Sequence, residues 1–325
     1  MKFLIIQTAF IGDVILATPV VEKLHRDFPG AEIDFLLRKG NEGLLTDHPK
    51  IRKLIIWDKK QKKFSNLLKL ISGIRKEKYN YVINLHRFAN SGIITAMSRG
   101  KEKIGFDKNP FSHLYDKKVP HEIDMQTAIH ETERNLSLVE HIGEKEFAPP
   151  RLYPTDEDYK FTDQFKNKPY IIIAPASVWF TKQLPKEKWI GLIDKLKNNY
   201  SIFLIGAPTD ITLCEEIKNA SGDAALNLAG ELSFLQSAAL IRDATMNYVN
   251  DSAPLHIASA MNAPVTAVFC STVPEFGFGP LSFNSTVVQT KLHLECKPCG
   301  LHGFMKCPLD HFLCAKSIEV EQLIN

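Results

Sequence analysis

The sequence of 325 residues predicts an α/β protein of two domains, each built on a parallel β-sheet. Short apolar runs alternate with amphipathic stretches, a pattern typical of parallel strands joined by helical crossovers. The alternation pauses at residues 143–154, which contain three prolines, and then begins again. A chain of this length also exceeds what one core usually fills. We therefore expect two Rossmann-like domains, residues 1–150 and 151–325, whose sheets face a central cleft.

In the first domain, each strand is predicted from a short apolar run, and helical stretches separate these runs. The predicted strands are residues 2–7, 32–37, 54–57 and 81–85. Helices are predicted from the 3.6-residue spacing of apolar positions between these runs. They cover residues 14–28, 40–47, 64–78 and 125–142.

The second domain repeats this order after the proline-rich linker. Its predicted strands are residues 170–174, 202–205, 225–228, 246–249 and 265–269. Its predicted helices are residues 186–199, 209–220, 234–242 and 252–261. The carboxyl ends of these strands form the sheet edge at which open α/β proteins bind ligands.

The first residues superficially resemble a secretory signal, with Lys2 followed by an apolar run. Gln7 and Thr8 interrupt that run, and no cleavage site with small residues follows it. No stretch approaches the roughly 20 apolar residues of a membrane span. We expect a cytoplasmic protein whose first residues form a buried strand.

Charge is distributed unevenly between the two halves. Residues 1–150 carry 25 Lys and Arg against 19 Asp and Glu, whereas residues 151–325 carry 15 against 18. The first half is therefore expected to face an acidic partner. The excess is too small for a nucleic-acid-binding tract, and no basic motif interleaved with aromatic residues accompanies it, so no nucleic-acid partner is expected.

The most informative stretch is residues 250–269, where polar side chains follow a predicted strand and open a helix of small residues. Asp251, Ser252 and Ala253 lie at this junction. A helix N-terminus presents unpaired N–H groups and a partial positive charge, which suit a phosphate. Asp and Ser are also common helix N-caps, so a purely structural role is the alternative. We interpret His256, one turn further on, as structural.

Gly12 and Asp13 occupy the corresponding place after the first predicted strand. Gly12 is expected to permit a tight turn and close ligand approach, and a carboxylate at Asp13 suits a general base. Helix capping is the alternative for Asp13. The chain has neither G-x-G-x-x-G nor a glycine-rich P-loop with its lysine, so no nicotinamide or Walker-type site is expected.

A third loop follows the strand predicted at residues 170–174. Ser177, Thr181 and Lys182 place hydroxyl groups and an ammonium there, near Asp251 if the two strands are adjacent. A lysine neutralises a diphosphate as a point charge. The loop is therefore a candidate for binding a diphosphate.

Three motifs, in this order, resemble the ADP-heptose:lipopolysaccharide heptosyltransferase family, glycosyltransferase family 9. They are Ile11-Gly-Asp-Val-Ile-Leu-Ala-Thr-Pro19, Trp179-Phe-Thr-Lys-Gln-Leu-Pro185 and Asn250-Asp-Ser-Ala-Pro-Leu-His-Ile-Ala258. The resemblance spans nearly the whole chain. It implies a GT-B fold with the acceptor on the N-terminal domain and the nucleotide sugar on the C-terminal domain.

The resemblance also implies roles for individual residues. Asp13 would be the catalytic base of an inverting transfer that needs no cofactor or metal. Lys182 would hold the donor diphosphate, Asp251 would contact the sugar, and Ser252 with the following amides would meet phosphate. Many family members have Thr and Gly where this chain has Ser252 and Ala253, which puts in doubt a backbone conformation that only glycine adopts.

The partners that the resemblance implies are an ADP-sugar donor and a glycolipid acceptor of the lipopolysaccharide core. We expect Leu232 near the adenine, and Gly12 and Arg87 near the acceptor. The basic stretch 59–78 is either a solvated amphipathic helix or a surface that approaches the inner face of the inner membrane. Two alternative functions stay open. One is a glycosyltransferase of the same fold that uses another nucleotide sugar, and the other is a sugar-nucleotide-binding protein without activity.

The C-terminal tail carries four cysteines with the spacing C-x2-C-x7-C-x6-C, at Cys296, Cys299, Cys307 and Cys314. In a cytosolic protein this spacing predicts a structural zinc site rather than disulfides. Similar tails in the resembled family are not known for requiring metal, so we favour metal-free thiols and keep the structural zinc site as the alternative. A zinc-dependent interaction protein would be a third function, resting on the tail alone. Cys214 and Cys270 are expected in the core.

Overall fold

The computed structural model describes residues 1–59 and 63–324, with the side chains of Lys63 and Phe64 left aside. The chain divides into two compact units. The first comprises Met1–Ile123 and Ile129–Tyr153, and the second comprises Asp124–Ala128 and Pro154–Asn325. The division near Tyr153 lies inside the proline-rich segment.

Over its described residues, the first unit has a six-stranded parallel sheet in the order β3-β2-β1-β4-β5-β6. The strands are β1 (Lys2–Ile6), β2 (Glu32–Arg38), β3 (Lys53–Trp57), β4 (Tyr81–Asn84), β5 (Glu102–Phe106) and β6 (Lys117–Val119). Ile5 pairs with Phe35 on one side and Ile83 on the other, so β1 is central. Burial of both faces explains why β1 is an unbroken apolar run.

Helices of the first unit cover its sheet. They are α1 (Ile11–Asp27), α2 (Lys63–Glu77), α3 (Ala89–Met97) and α4 (Glu131–Ser137). The Asn135 amide of α4 donates a hydrogen bond of 2.9 Å to the Leu16 carbonyl of α1. The side-chain hydroxyl of Thr18 in α1 also accepts from the Arg151 N–H, at 3.0 Å. These buried polar contacts fix the helix that carries Asp13.

The described part of the second unit has a second six-stranded parallel sheet, in the order β12-β11-β10-β7-β8-β9. The strands are β7 (Tyr170–Ala174), β8 (Ser201–Leu204), β9 (Leu226–Asn227), β10 (Met246–Asn250), β11 (Val265–Val268) and β12 (Ser285–Val288). Strand β10 pairs with β7 and β11, placing Tyr248 beside Ile173 and Thr266. The loops after β7, β10 and β11 therefore leave the same edge of the sheet.

Helices of the second unit flank its sheet. They are α5 (Asp156–Thr162), α6 (Lys186–Leu196), α7 (Ile211–Ala220), α8 (Phe234–Asp243), α9 (Ala253–Met261), α10 (Leu313–Lys316) and α11 (Glu321–Ile324). The cysteine-bearing tail belongs to the core of this unit, because Cys307, Phe312 and Cys314 cluster with Trp189 of α6. Cys214 belongs to the same cluster and Cys270 is fully buried, which confirms their expected core placement.

The two parallel sheets confirm the predicted fold class, but some predicted elements are wrong. Only a 3-10 turn, Glu42–Leu44, forms where a helix was expected at residues 40–47. The helix expected at 125–142 is confined to α4, which His130 begins by accepting the Thr132 N–H. The elements β5, β6, β12, α3, α5, α10 and α11 were not predicted.

The structure describes only part of the basic stretch 59–78. Its helix is α2, with Leu68 63% exposed and Ile71 2% exposed, so the apolar residues do not all share one buried face. Residues 60–62 of this stretch, and the side chains of Lys63 and Phe64, lie outside the described residues. Among the helices that are described, none has the length and apolar character to cross a membrane.

Candidate active site

Asp13 lies at the carboxyl edge of the first sheet, in the first turn of α1. Its Oδ2 accepts a hydrogen bond of 3.0 Å from the Phe10 N–H. Phe10 is the N-cap residue of α1, so Asp13 is not itself the N-cap that the structural alternative expected; its carboxylate instead accepts from the N-cap N–H, as the third helical residue does in a capping box. Gly12 adopts a helical rather than a left-handed backbone, so the predicted tight turn is wrong at that residue.

The Asp13 carboxyl is an unusually strong base for an aspartate. Burial raises its pKa to about 6, and the Glu131 carboxylate adds to this. The Phe10 N–H and the Arg87 guanidinium act in the opposite direction. At neutral pH, Asp13 is thus mainly ionised and accepts a proton more readily than an ordinary aspartate.

Glu131, the first residue of α4, is a second carboxylate held by fixed partners. Its Oε2 lies 2.7 Å from Arg134 Nε and 3.3 Å from His121 Nε2. Burial opposes its ionisation, but the hydrogen bonds and charges of His121 and Arg134 lower its pKa overall. Glu131 therefore acts as a fixed negative charge near Asp13. Sequence reasoning missed it because nothing local distinguishes it from other acidic residues at helix starts.

A basic cluster surrounds the loop between β1 and α1. Lys59, just beyond β3, donates a 2.8 Å hydrogen bond to the Thr8 carbonyl and lies 4.9 Å from the ring centroid of Trp57. Burial, with the nearby charge of Arg38, lowers the pKa of Lys59 to about 8. The lysine is thus a partly desolvated cation at the same sheet edge as Asp13.

Side chains from β2 and from the loop after β4 complete this edge. The guanidinium of Arg38 lies 4.8 Å from the ring centroid of Phe10. His86 Nδ1 is 3.1 Å from Thr8 Oγ1. Burial, followed by the charges of Lys59 and Arg87, lowers the pKa of His86 to about 4, so His86 is neutral at pH 7. Arg38, Lys59 and Arg87 together give the edge a positive field around one carboxylate.

In the second unit, adjacent strands bring two predicted residues into contact. Lys182 ends the 3-10 turn Phe180–Lys182 that follows β7, and Asp251 follows β10. Lys182 Nζ lies 2.6 Å from Asp251 Oδ2, with the two side chains only 14% and 6% exposed. The Thr272 hydroxyl donates to the same oxygen, also at 2.6 Å. The Asp251 carboxylate is thus neutralised inside the fold.

Asn250, which sequence reasoning did not single out as a functional residue, joins these two loops. Its Oδ1 accepts from the Leu184 N–H at 3.0 Å, and its Nδ2 donates to the Pro175 carbonyl at 2.8 Å. The side chain is fully buried. It therefore fixes the β7 loop against the end of β10, where Lys182 meets Asp251.

The beginning of α9 offers few amide donors. Ser252 is the N-cap residue, in extended conformation, and its hydroxyl bonds to the Asn250 carbonyl at 3.3 Å. Pro254 has no N–H, and the Leu255 N–H donates to the Ser252 carbonyl. Neither Ser252 nor Ala253 has a left-handed backbone, so alanine fits here as well as glycine.

Comparison with known proteins identifies the family. The family model described as glycosyltransferase family 9 (heptosyltransferase) matches residues 67–304. The chain belongs to glycosyltransferase family 9. It is 30% identical over 287 residues to lipopolysaccharide heptosyltransferase 3 of Escherichia coli strain K12, covering 80% of each chain. It is also 25% identical over 271 residues to the lipopolysaccharide core heptosyltransferase OpsX of Haemophilus influenzae, covering 82% of this chain and 78% of the relative.

Solved structures confirm the GT-B fold of this family 9 protein. The structure of E. coli ADP-heptose lipopolysaccharide heptosyltransferase II matches with a TM-score of 0.81 at 21% identity, covering 100% of this chain and 96% of that one. An E. coli heptosyltransferase solved with ADP matches with a TM-score of 0.72 at 19% identity, covering 88% and 92%. The chain therefore has the same fold as these two heptosyltransferases.

Other predicted donor residues of the family 9 protein occupy different settings. Thr181 is 1% exposed and its Oγ1 accepts from Phe304 N and Ser271 Oγ, so the hydroxyl is engaged within the protein. We therefore assign Thr181 to positioning rather than to donor contact. Ser177 and Leu232 are partly exposed, and their proposed donor contacts stay predictions. His256 is buried in α9, in line with a structural role.

The tail thiols are unpaired throughout the part of the chain that the structure describes. Cys296 Sγ lies 3.8 Å from His311 Nε2, and Cys299 Sγ donates to the Cys296 carbonyl at 3.1 Å. Within residues 1–59 and 63–324, no group of three or more His, Cys, Asp and Glu side chains is placed to hold a metal ion. Zinc binding by the four cysteines stays the alternative to metal-free thiols, and metal analysis tests it.

Proposed function

We propose that this protein is an inverting heptosyltransferase that transfers heptose from ADP-heptose to a glycolipid acceptor of the lipopolysaccharide core. The observation that carries the proposal is the Asp13 carboxylate, held at a sheet edge with a pKa of about 6. A protein that only binds a nucleotide sugar does not require such a base. The curated relatives are lipopolysaccharide heptosyltransferases, and ADP-heptose is named with the structure of heptosyltransferase II.

In the proposed reaction, Asp13 takes the proton of an acceptor hydroxyl while that oxygen attacks the anomeric carbon of the heptose. The new glycosidic bond forms on the face opposite the departing ADP. The bond from the anomeric carbon to the phosphate oxygen breaks, and ADP leaves with its electron pair. The configuration at the anomeric carbon is therefore inverted, and Asp13 later loses its proton to solvent.

Donor binding is assigned to the second unit. Lys182 exchanges its Asp251 partner for the diphosphate and stabilises the negative charge that develops as ADP leaves. Asp251, released from the lysine, accepts hydrogen bonds from sugar hydroxyls. The N–H groups of Ser252 and Ala253 supplement Lys182 at the phosphate.

Acceptor binding is assigned to the first unit. Arg38, Lys59 and Arg87 favour an acceptor that carries negative charge close to the reacting hydroxyl. The excess of basic residues in the first half of the chain supports the same assignment. An acceptor of this kind is a membrane glycolipid, so we place the protein in the cytoplasm with peripheral contact to the inner membrane.

Two measurements test the proposal. Thermal-shift screening against ADP, UDP, GDP and CMP should show stabilisation by ADP, because a ligand that binds only the native state raises stability with its affinity. Asp13→Asn should keep ADP binding and lose nearly all transfer. Stabilisation by UDP instead of ADP would overturn the donor assignment, and near-wild-type transfer by Asp13→Asn would overturn the base.

A further inference from the structure

The segment that carries the first two tail cysteines, residues 296–304, reaches back to the turn that holds Lys182. The Thr181 N–H donates to the Phe304 carbonyl at 3.0 Å. The Phe304 N–H in turn donates to Thr181 Oγ1 at 2.7 Å. This reciprocal pair joins the tail to the residue directly before Lys182.

A second residue ties the same segment to the loop after β11. The Ser271 hydroxyl donates to Thr181 Oγ1 at 3.0 Å, and the Ser271 carbonyl accepts from the Cys299 N–H at 2.7 Å. Ser271 is fully buried and Thr181 is 1% exposed. Three separate pieces of chain therefore meet at one buried hydroxyl, that of Thr181.

The residues that follow this junction are those that contact Asp251. Thr181 precedes Lys182, and Ser271 precedes Thr272. Lys182 Nζ and Thr272 Oγ1 each lie 2.6 Å from Asp251 Oδ2. A displacement at the Thr181–Ser271 junction would therefore be transmitted to both partners of Asp251.

Close approach of the tail depends on Gly303. Its backbone is left-handed, with φ of 72°. A Cβ at this position would lie 2.7 Å from Thr181 Oγ1 and 3.0 Å from Ser271 Oγ. Gly300 is also left-handed, with φ of 66°, but a Cβ there would meet nothing within 4 Å. Alanine at Gly300 would therefore introduce backbone strain alone. Alanine at Gly303 would introduce the same strain together with a collision at the Thr181–Ser271 junction.

Lys297 anchors the start of the segment. Its ammonium donates to the Phe269 carbonyl at 2.9 Å and to Gln289 Oε1 at 2.8 Å. The segment is thus held at residue 297 by the loop after β11, and at residue 304 by the Lys182 turn. It is built as a brace behind the donor side chains rather than as a free tail.

We propose that residues 296–304 form a positioning brace for the donor site, in which Thr181, Ser271 and Gly303 fix Lys182 where the donor diphosphate binds. These three are positioning residues, because they act through Lys182 and Asp251. The proposal rests on the assignment of Lys182 to the donor diphosphate. It gives the cysteine-bearing tail a role in donor binding that does not require a metal.

The test measures ADP affinity by isothermal titration calorimetry, with ADP itself as the probe, in full-length variants. Gly303→Ala should weaken ADP binding at least tenfold, whereas Gly300→Ala, which bears the same left-handed strain without the collision, should change it less than threefold. Thr181→Val should weaken ADP binding similarly. Thr181→Ser retains the accepting hydroxyl and should bind ADP with nearly the wild-type affinity. Amide hydrogen exchange should show faster exchange at Phe304 in Thr181→Val.

Two controls accompany these variants. Lys182→Met tests the donor assignment itself, and melting followed by circular dichroism shows whether each variant is folded. The brace is overturned if Gly303→Ala and Thr181→Val bind ADP as the wild type does, or if Gly300→Ala weakens binding as much as Gly303→Ala. If Gly303→Ala fails to fold, the Thr181→Val and Thr181→Ser pair decides the matter. If Lys182→Met leaves ADP affinity unchanged, the donor assignment itself is wrong. Weak binding by Lys182→Met beside normal binding by Gly303→Ala refutes the brace alone.

Discussion

Substitution of Glu131 should move the pH dependence of transfer without touching the proposed base. Asp13 acts only when ionised, so transfer should fall as pH decreases through its pKa of about 6. Glu131 is the second cause of that raised pKa, after burial. Glu131→Gln removes the negative charge and leaves the Arg134 guanidinium without its carboxylate partner. Arg38, Arg87 and the Phe10 N–H still face Asp13, so every change favours the carboxylate and lowers its pKa.

The expected decrease in the pKa of Asp13 is limited, because Glu131 ranks after burial among the causes that raise it. Because burial remains, we expect a decrease of about 0.5 to 1 pKa unit, roughly 1 kcal/mol of interaction. Near pH 5.5 the ionised fraction of Asp13, and with it kcat/KM relative to the value at pH 7.5, should rise about two- to threefold. Above pH 7, kcat/KM should depend little on pH in either protein.

The assay is kcat/KM against pH, with Glu133→Gln as a matched control. Glu133 lies in the same turn of α4 but is exposed, so solvent screens its charge. The control should keep the wild-type acid limb. An acid limb that stays in place in a folded Glu131→Gln protein would refute the coupling between the two carboxylates. A limb that moves to higher pH would show that the sign is wrong.

Three further predictions follow from the same contacts. Lys59→Met should raise the acceptor KM at least tenfold while ADP affinity, measured by calorimetry, stays within twofold; equal losses would contradict a role confined to the acceptor. Asn250→Ala should lower the free energy of unfolding by about 2–4 kcal/mol in urea titrations, since the Leu184 N–H and the Pro175 carbonyl lose buried partners. Metal analysis of protein purified without added zinc should find less than about a tenth of an equivalent, as expected for metal-free thiols, whereas one equivalent would establish a zinc site.

How much of the fold the sequence predicts depends on where each strand lies in its sheet. Strands β1 and β7 lie inside their sheets and are covered on both faces, so they appear as apolar runs that are easily recognised. Strand β5 reads Glu102-Lys-Ile-Gly-Phe106 and β6 is a three-residue edge strand, so neither has such a run. Propensity alone predicts residues 125–142 as a helix, but only α4 within them is helical.

Functional residues in the loops that follow predicted strands were predicted from the sequence. Those that reach the site only through tertiary packing were missed. Lys182 lies in the loop after β7 and Asp251 directly follows the neighbouring strand β10, and the expectation that they lie close together is confirmed by their 2.6 Å contact. Glu131 approaches Asp13 only because α4 packs against α1, and local sequence carries no sign of that packing. Thr181 was predicted to bind the donor from its residue type, whereas only the structure reveals that Phe304 and Ser271 already occupy its hydroxyl.

The contact between Lys182 and Asp251 also bears on which ligands the site prefers. A diphosphate that captures Lys182 leaves the Asp251 carboxylate buried, with the Thr272 hydroxyl as a remaining partner. Removing the cation partner of a buried carboxylate costs about 3–5 kcal/mol, unless sugar hydroxyls replace the lysine. ADP-heptose should therefore bind at least about tenfold more tightly than ADP, since 1.4 kcal/mol corresponds to a factor of ten.

Asp251→Asn isolates this effect, because the amide keeps the shape of the side chain but no longer neutralises Lys182. ADP should then bind more tightly than to the wild type, and the preference for the intact nucleotide sugar should shrink toward unity. Calorimetric titrations of both proteins with both ligands measure the change. Equal affinities of the wild-type protein for ADP and ADP-heptose, or weaker ADP binding by Asp251→Asn, would show that the ion pair does not select the complete donor. If the expected pattern is found, Lys182 of the free protein is held in an ion pair with Asp251. The complete donor then separates this pair at a lower cost in free energy than ADP does, because its sugar hydroxyls replace the lysine as partners of Asp251.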